Sequence, residues 1–374
     1  MQNRTSYAVR RNIMEQREEI ILMLNQIPNP AFLVKDGSVL EVNPSAEVQM
    51  IAVGMAVQAL LATGTQEYME YTGGSLFLTL RICGNLYNTS VSKVGLYDLF
   101  ILEQEDDVAE LQSMALAAQE LRSPLAGVMS VADSLFPLLG DSEDQDSQKK
   151  IAQLNRGLFQ MLRIVSNMSD AYRYNREQHP RLETRDICGI LDSLFSASIP
   201  LVEYAGLSLR FTGLSERIYC LVDEEKLERG IHNIISNALK FTPPGGTIDA
   251  RLVRKKNMLY LTVQNTSCDV PGRFPENIQR FYQRMPGLED SRFGIGLGMV
   301  LIRGAATAHG GTLLLEKTKE HGTRITLSIA IRQSSDPNVR TSIFQVDYAG
   351  ERDHRLLEFS DSLPDDLYRK ENIN

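Results

Sequence analysis

Three residues in the run DEEKLERGIHNIISNALKFTPPGG have types and spacing that could do chemistry. Asn233, Asn237 and Lys240 recur at i, i+4 and i+7, so a helix carries them on one face. Leu227, Ile231, Ile234 and Ala238 form a second, apolar face. Two carboxamides and an ammonium are poor core material. They suit a Mg2+–triphosphate, because amide oxygen is a hard ligand and lysine neutralises phosphate charge. A solvated helix face explains the same residues, and for this helix by itself it is the stronger explanation. Further along lies Phe293-Gly294-Ile295-Gly296-Leu297-Gly298-Met299, ahead of a predicted helix at about 297–309. Glycines let a backbone approach phosphate, and a helix N-terminus offers free N–H groups to an anion. A lone G-x-G-x-G also marks any tight turn.

The elements that must hold these residues are legible as alternating segments. Residues 182–332 read as an α/β sandwich. It has a helix at about 186–204 with Asp186 as its N-cap, strands at LSLRF and IYCLV, and a helix from Asp223 to about Lys240. Two hairpins follow. In the first, Ile248, Ala250 and Leu252 share a face with Leu259, Leu261 and Val263; the second runs GTLLLEKTKEHGTRITLSIAI. Upstream, residues 105–176 carry two heptad series. Leu111, Met114, Ala118, Leu121, Leu125, Val128, Ala132 and Leu135 alternate three- and four-residue steps, as do Ile151, Leu154, Leu158, Met161, Val165, Met168 and Tyr172. The acidic stretch DSEDQDSQ lies between them as a turn, so the pair is a helical hairpin. A hairpin buries each seam only partly, and pairing into a four-helix bundle completes it. Periodicity by itself is equally consistent with a plain structural coiled coil.

Before the hairpin, residues 26–104 predict a small α/β module of short strands. The first two flank Asp36-Gly37, a strong hairpin signal. Cys83 in this module reads as a core cysteine, and the absence of histidine disfavours a haem with a His ligand. Residues 1–25 predict a helix, with Ile13, Ile20, Ile21, Leu24 and Ile27 on helical spacing over 10–27. The segment 333–374 is polar, a flexible extension or one that packs its amphipathic piece HRLLEFSDSLP on the body.

Composition sets the outer limits. A chain of 374 residues with 43% hydrophobic and 23% charged residues is globular and multidomain. Its net charge of −8 disfavours a generally basic nucleic-acid binder. Cys83, Cys188, Cys220 and Cys268 are scattered, without a disulfide or zinc spacing. No apolar run approaches a membrane span and the first residues lack a signal-peptide core. The expectation is a soluble, reduced, cytoplasmic protein without membrane insertion.

The order N-x-x-x-N-A-x-K-F-T-P, a hairpin, Phe281-Tyr282, G-x-G-L-G and later H-G-G resembles the ATP-binding domain of sensor histidine kinases. That domain belongs to a wider superfamily shared with DNA gyrase and a heat-shock chaperone family. Gln119-Glu120-Leu121-Arg122-Ser123-Pro124-Leu125 is similar to the H-E-L-R-[ST]-P-L segment of that family's dimerisation helix. IPNPAFLVKDGSVLEVNPSAE resembles a PAS sensor domain. The resemblance implies an α+β multidomain protein of two-component signal transduction: a PAS-like α/β sensor, an antiparallel helical hairpin that forms a four-helix bundle on dimerisation, and an α/β sandwich ATPase domain. It implies ATP and Mg2+, with Asn237 on the metal, Asn233 beside the phosphates and Lys240 neutralising their charge. Gly294, Gly296, Leu297 and Gly298 would form the phosphate-side turn, with Phe281 and Tyr282 before it. Glu120 would be the general base next to the phosphoacceptor. A homodimer, a response regulator receiver domain and a true histidine kinase are the implied partners.

Two positions depart from that pattern. The phosphoacceptor histidine is Gln119 here, and a carboxamide nitrogen, delocalised into its carbonyl, is not a nucleophile. None of the five histidines lies in the hairpin, and His232 and His309 read as structural. Loss of autophosphorylation is therefore expected. The D-x-G-x-G of active members is replaced by Asn265, Ser267 and Asp269; Asn265 keeps a carbonyl acceptor but loses the charge. Weakened ATP binding is expected. The alternatives are a non-catalytic dimeric scaffold and a phosphatase-type regulator, in which Ser123, four residues after Gln119, orients water.

Overall fold

The computed structural model describes residues 18–103, 105–139, 145–176, 180–266, 297–318, 322–333, 352–369 and 372. Ile13, Cys268, Ser267, Asp269, Phe281, Tyr282, Gly294 and Gly296 lie outside them. The chain divides into two units, Met1–Asp107 and Val108–Asn374.

In the first unit, Asp36 and Gly37 both take positive φ (51° and 77°), the twist a two-residue hairpin needs. They join β1 (Ala31–Lys35) to β2 (Ser38–Val42). With β3 (Ser75–Ile82), β4 (Asn85–Val94) and β5 (Tyr97–Leu102) they form an antiparallel sheet in the order β2-β1-β5-β4-β3. Ala31, Leu33, Leu99 and Ile101 pack on one face with Leu24 of helix α1 (18–26). Phe32 stacks on Phe100 at 4.9 Å on the other, and Tyr68 meets Phe100 edge-on. Short helices α2 (Pro44–Val48), α3 (Val57–Leu60) and α4 (Thr65–Met69) lie between β2 and β3. Buried Asn43 fixes the entry to α2: its Oδ1 accepts from the N–H groups of Ala31 and Ala46, and its Nδ2 donates to Ile27 and Asn29. Cys83 is not a core residue. It is exposed in the β3–β4 turn at φ 49°, ahead of Gly84.

In the second unit, the heptad series become α5 (Glu105–Leu139) and α6 (Gln145–Arg176). Alternate members of each series divide between two environments. Leu111, Ala118, Leu125 and Ala132 are buried, as are Leu158 and Val165. The intervening Leu121, Val128, Leu135, Leu154 and Met161 are 46–53% exposed. Each helix thus spends half its seam on its neighbour and leaves the other half open.

The sandwich follows. Strands β7 (Ser208–Thr212), β9 (Thr247–Lys255), β10 (Met258–Asn265), β11 (Leu313–Lys317) and β12 (Thr323–Ala330) lie in the order β11-β12-β10-β9-β7, with β7–β9 parallel and the other pairs antiparallel. β6 (Glu183–Asp186) and β8 (Tyr219–Val222) pair separately. Leu252 opposes Leu261 and Ala250 opposes Val263, as alternation predicts. Helices α7 (Ile187–Tyr204), α8 (Glu224–Phe241) and α9 (Leu297–Ala308) complete the layers. α9 packs on both α8 and α6, and Leu297, Val300 and Leu301 join Leu111, Ala171 and Tyr174 in one apolar cluster. Asp186 stands at the start of α7, but its side chain makes no capping bond. By length and composition α7 could cross a membrane, which corrects the expectation that no apolar run reaches that size; it buries Leu191, Phe195 and Val202, and Phe195 stacks on Phe211 of β7. At H-G-G, a Cβ on Gly311 would lie 1.7 Å from the Ser328 carbonyl oxygen, so the chain needs glycine to meet β12.

The C-terminal segment is docked. Helix α10 (His354–Glu358) and the turn Asp365–Tyr368 lie against α6 and α8. Leu357, Phe359, Leu363 and Tyr368 are fully buried. Tyr368 meets Phe159 edge-on at 5.4 Å, and Phe359 meets His232 at 5.6 Å. Of the two sequence expectations for 333–374, packing on the body holds for 352–369 and a flexible extension does not. Glu358 is the polar centre. Its buried carboxylate accepts from Arg229 of α8 and from Arg163 of α6, and Arg229 also donates to Asn167 and Asp170. Replacing Glu358 by Ala leaves two guanidiniums short of a buried partner. Chemical denaturation of the second unit should show a loss of about 3–5 kcal/mol; a loss below about 1 kcal/mol contradicts this burial.

His309 is locked neutral. The Asp223 N–H donates to Nε2 at 3.0 Å, so the ring proton is on Nδ1, 2.7 Å from the Ala305 carbonyl. Burial lowers the pKa of His309 and of His232. The unfolded chain then takes up protons first, so stability falls as pH drops below about 6.5. A second loss follows at lower pH. Burial pushes Asp361 up, but Arg163 and Lys240 together hold it below the usual carboxylate range; stability from it is present above about 4 and disappears as it is protonated. Melting temperature followed from pH 8 to pH 3 should decline in these two stages. A flat profile between pH 8 and pH 5 contradicts the buried neutral histidines.

Candidate functional site

α8 begins at Asp223, whose carboxylate accepts from the Lys226 N–H. Leu227, Ile231, Ile234 and Ala238 face the core as their spacing requires. On its other side the helix divides the three polar residues. Asn233 is fully buried and its Nδ2 donates to the Arg229 carbonyl at 2.9 Å. Among the described residues its Oδ1 has no hydrogen-bond partner. A Cβ on Gly298 would stand 2.8 Å from that oxygen, so glycine is what lets the first turn of α9 come this close. Asn237, half-buried, points its Nδ2 toward the Met299 sulfur at 3.8 Å. The two carboxamides therefore converge on the start of α9.

Lys240 does not join them. Its Nζ is 2.5 Å from Asp361 Oδ2 in the C-terminal segment. The same carboxylate oxygen is 2.5 Å from Arg163 of α6, and Arg163 also donates to Ser236 of α8 at 3.0 Å. Burial, then Arg163, pushes the Lys240 ammonium down, and Asp361 opposes the shift.

A buried carbonyl oxygen without a partner is costly unless something occupies it. Asn233 Oδ1 is such an atom, and Asn237 follows one turn along. This hard-oxygen pair beside a helix start fits a hard cation with its phosphates. Leu297 is buried in the α9–hairpin cluster. Asn265 ends β10, opposite Ile248 and Thr323; it is buried, and its Nδ2 donates to the Thr266 carbonyl at 3.3 Å. Gln119, Glu120 and Ser123 are exposed on α5, next to buried Ala118. Among the described residues no hydrogen bond or ion pair joins them to the α8–α9 group.

Sequence reasoning missed Arg163, Arg229, Glu358 and Asp361. Arg163 lies off the Met161–Val165 series, and Arg229 shares the polar side of α8 with Asn233 and Lys240, positions that read as solvated. Nothing in the linear sequence pairs them with acids some 130–200 residues away.

Residues 222–333 match the family described as histidine kinase-, DNA gyrase B- and HSP90-like ATPase. Sensor histidine kinase CusS of Escherichia coli (strain K12) is 26% identical over 234 residues, covering 61% of this chain and 48% of CusS. Sensor histidine kinase WalK of Bacillus subtilis (strain 168) is 26% identical over 254 residues, covering 64% of this chain and 40% of WalK. The match to full-length ShkA, crystallised with AMPPNP, has a TM-score of 0.47 at 20% identity, over 61% of this chain and 47% of that one. The chain spans less than half the length of these relatives. The matched segment contains the Asn face, the start of α9 and H-G-G, so its ATPase-domain match and the α8–α9 geometry concern the same residues. Residues 222–333 are thus a histidine kinase-, DNA gyrase B- and HSP90-like ATPase domain in an α/β sandwich, within a chain similar to sensor histidine kinases over 61–64% of its length.

Proposed function

We propose that this protein is a dimeric, cytoplasmic regulator in two-component signalling that binds ATP with Mg2+ and cannot phosphorylate itself. The observation that carries the nucleotide half is the buried, unpartnered Asn233 Oδ1 facing Gly298. Asn237 holds the metal, Asn233 orders the phosphate side, and Asn265 offers a carbonyl to the adenine. Bound Mg2+–ATP supplies an activated phosphoryl group. Gln119 has no nucleophilic nitrogen to receive it, although Glu120 beside it remains exposed and available as a base. The module at 26–104 acts as a PAS-like sensor, 105–176 as the dimerisation hairpin and 182–332 as the nucleotide domain.

Two outlets remain open to such a chain. A partner histidine kinase can present its own histidine to this site. Alternatively, the hairpin can dock a response regulator receiver domain, with Ser123 orienting water for dephosphorylation. Ser123 favours this phosphatase-type reading, because it is exposed one helical turn from Gln119. The half-open heptad seam supports a homodimer, since five large apolar side chains at seam positions need cover.

Titration calorimetry with Mg2+ and a non-hydrolysable ATP analogue tests the nucleotide site. Binding is expected for the native chain and at least about tenfold weaker binding for Asn237→Ala, as expected for loss of about 1.4 kcal/mol or more. The same protein incubated with ATP should carry no acid-labile phosphate in the hairpin. No binding at millimolar analogue, or phosphate mapped to α5, overturns the reading. For the dimer, Val128→Glu places a charge in the open seam; sedimentation should show the native chain as a dimer and the variant as a monomer with an unchanged circular dichroism spectrum. A native chain that sediments as a monomer contradicts the dimer.

A further inference from the structure

The C-terminal segment 352–369 reaches the polar face of α8 through the Lys240–Asp361 pair. Asp361 holds Lys240 by its carboxylate, and that lysine lies on the Asn233–Asn237 helix, one turn beyond Asn237. The segment is fastened at several other points. Arg156 of α6 donates to the Ser360 and Asp361 carbonyls and to the Asp365 carboxylate. Asn155 donates to the Tyr368 carbonyl, His354 pairs with Glu228 of α8, and Arg355 donates to the Ala197 carbonyl of α7. These contacts set Asp361 between Lys240 of α8 and Arg163 of α6, so one carboxylate ties the nucleotide-domain helix to the hairpin.

A carboxylate paired with a lysine ammonium occupies the place a phosphate oxygen would take, with similar charge and hydrogen-bonding geometry. The docked segment also carries a cost. The hydroxyls of Ser360 and Ser362, on either side of Asp361, are buried without hydrogen-bond partners among the described residues. Undocking returns both to water. An element that supplies a competing anion and retains unsatisfied polar groups can be displaced more readily than a fully satisfied one.

We propose that residues 352–369 form an intramolecular strap whose Asp361 competes with nucleotide phosphate for Lys240, so that strap docking and Mg2+–ATP binding oppose each other. The inference rests on the nucleotide reading above. It extends that reading by giving the tail a role and by linking the site to the hairpin. When the strap docks, Lys240 is neutralised and α6 is clamped to α8 through Arg163. When phosphate takes Lys240, the Asp361 link is lost and the clamp loosens. By linkage, nucleotide must weaken strap docking by the same factor by which docking weakens nucleotide.

The test is analogue binding to the full chain as wild type, Asp361→Asn and Asp366→Asn, combined with hydrogen exchange of residues 354–369 with and without Mg2+ and analogue. Asp361→Asn should bind the analogue about fivefold or more tightly than wild type. Asp366→Asn, which loses only the exposed pair with Arg369, should match wild type. Exchange in the strap should rise when the analogue binds wild type. If Asp361→Asn unfolds, the wild-type exchange measurement decides the question without it. Equal affinity in wild type and Asp361→Asn, or strap exchange unchanged by bound analogue, overturns the strap and leaves the nucleotide site standing. No binding by any of the three chains overturns the nucleotide reading, and the strap with it.

Discussion

A buried charge must be paired, and in the second unit the carboxylate of Glu358 meets that requirement for two helices at once. Arg163 on α6 and Arg229 on α8 are both inside, and neither guanidinium could be there on burial alone. Asp170 and Asn167 share the task at Arg229. The consequence is geometric. α6 and α8 are held at a separation that admits α10 between their arginines, and α9 then packs across both, with Leu297, Val300 and Leu301 against the hairpin. The start of α9, where Gly298 approaches Asn233, is therefore positioned by a network that reaches the expected nucleotide residues through Asp361 to Lys240 and through the Arg229 carbonyl to Asn233.

Much of this was legible in the linear sequence because local pattern and final environment coincide. The Asp36-Gly37 hairpin, the alternation in β9 and β10, the capped start of α8 and the heptads in α5 and α6 all follow from short-range spacing. The Asn face was legible too, although helical spacing could show only that Asn233, Asn237 and Lys240 share a side. Side-chain length decides what each reaches. A carboxamide stays close to its helix and meets α9; a lysine spans farther and meets Asp361. The strap was not legible for a different reason. Its apolar side chains made packing on the body readable, but the place of docking is fixed by ion pairs, and a charge in sequence reads as solvated unless its partner is known. Cys83 failed similarly: a cysteine's usual burial is a composition average, and a two-residue turn overrides it.

The two departures from the histidine kinase pattern lie in different environments, and this affects what each can change. Gln119 is on the solvent side of α5, where substitution costs little stability and removes only chemistry. Asn265 is buried at the end of β10, between β9 and β12, and its amide is already committed to the Thr266 carbonyl. An aspartate there would need a donor or would raise its pKa, since burial disfavours the charged form. A neutral carboxamide suits that dry strand end better than a carboxylate without its partner.

Such a division fits a protein in which the nucleotide site has become a control element. The phosphoryl chemistry depends on one exposed atom type, the imidazole nitrogen that Gln119 lacks. Nucleotide-dependent shape depends instead on α8, α9 and the hairpin, and here the packing is complete: α9 is shared between α6 and α8, and Arg163 reaches Ser236 across the same gap. Losing the first does not weaken the second. Part of the exposed half of the heptad seam, Leu154 and Met161, lies on α6, the hairpin helix that receives the strap. Any rotation of α6 that follows a change at Lys240 is therefore presented directly to whatever covers Leu154 and Met161. On the proposed reading, the hairpin reports the state of the nucleotide domain to a partner without transferring a phosphoryl group.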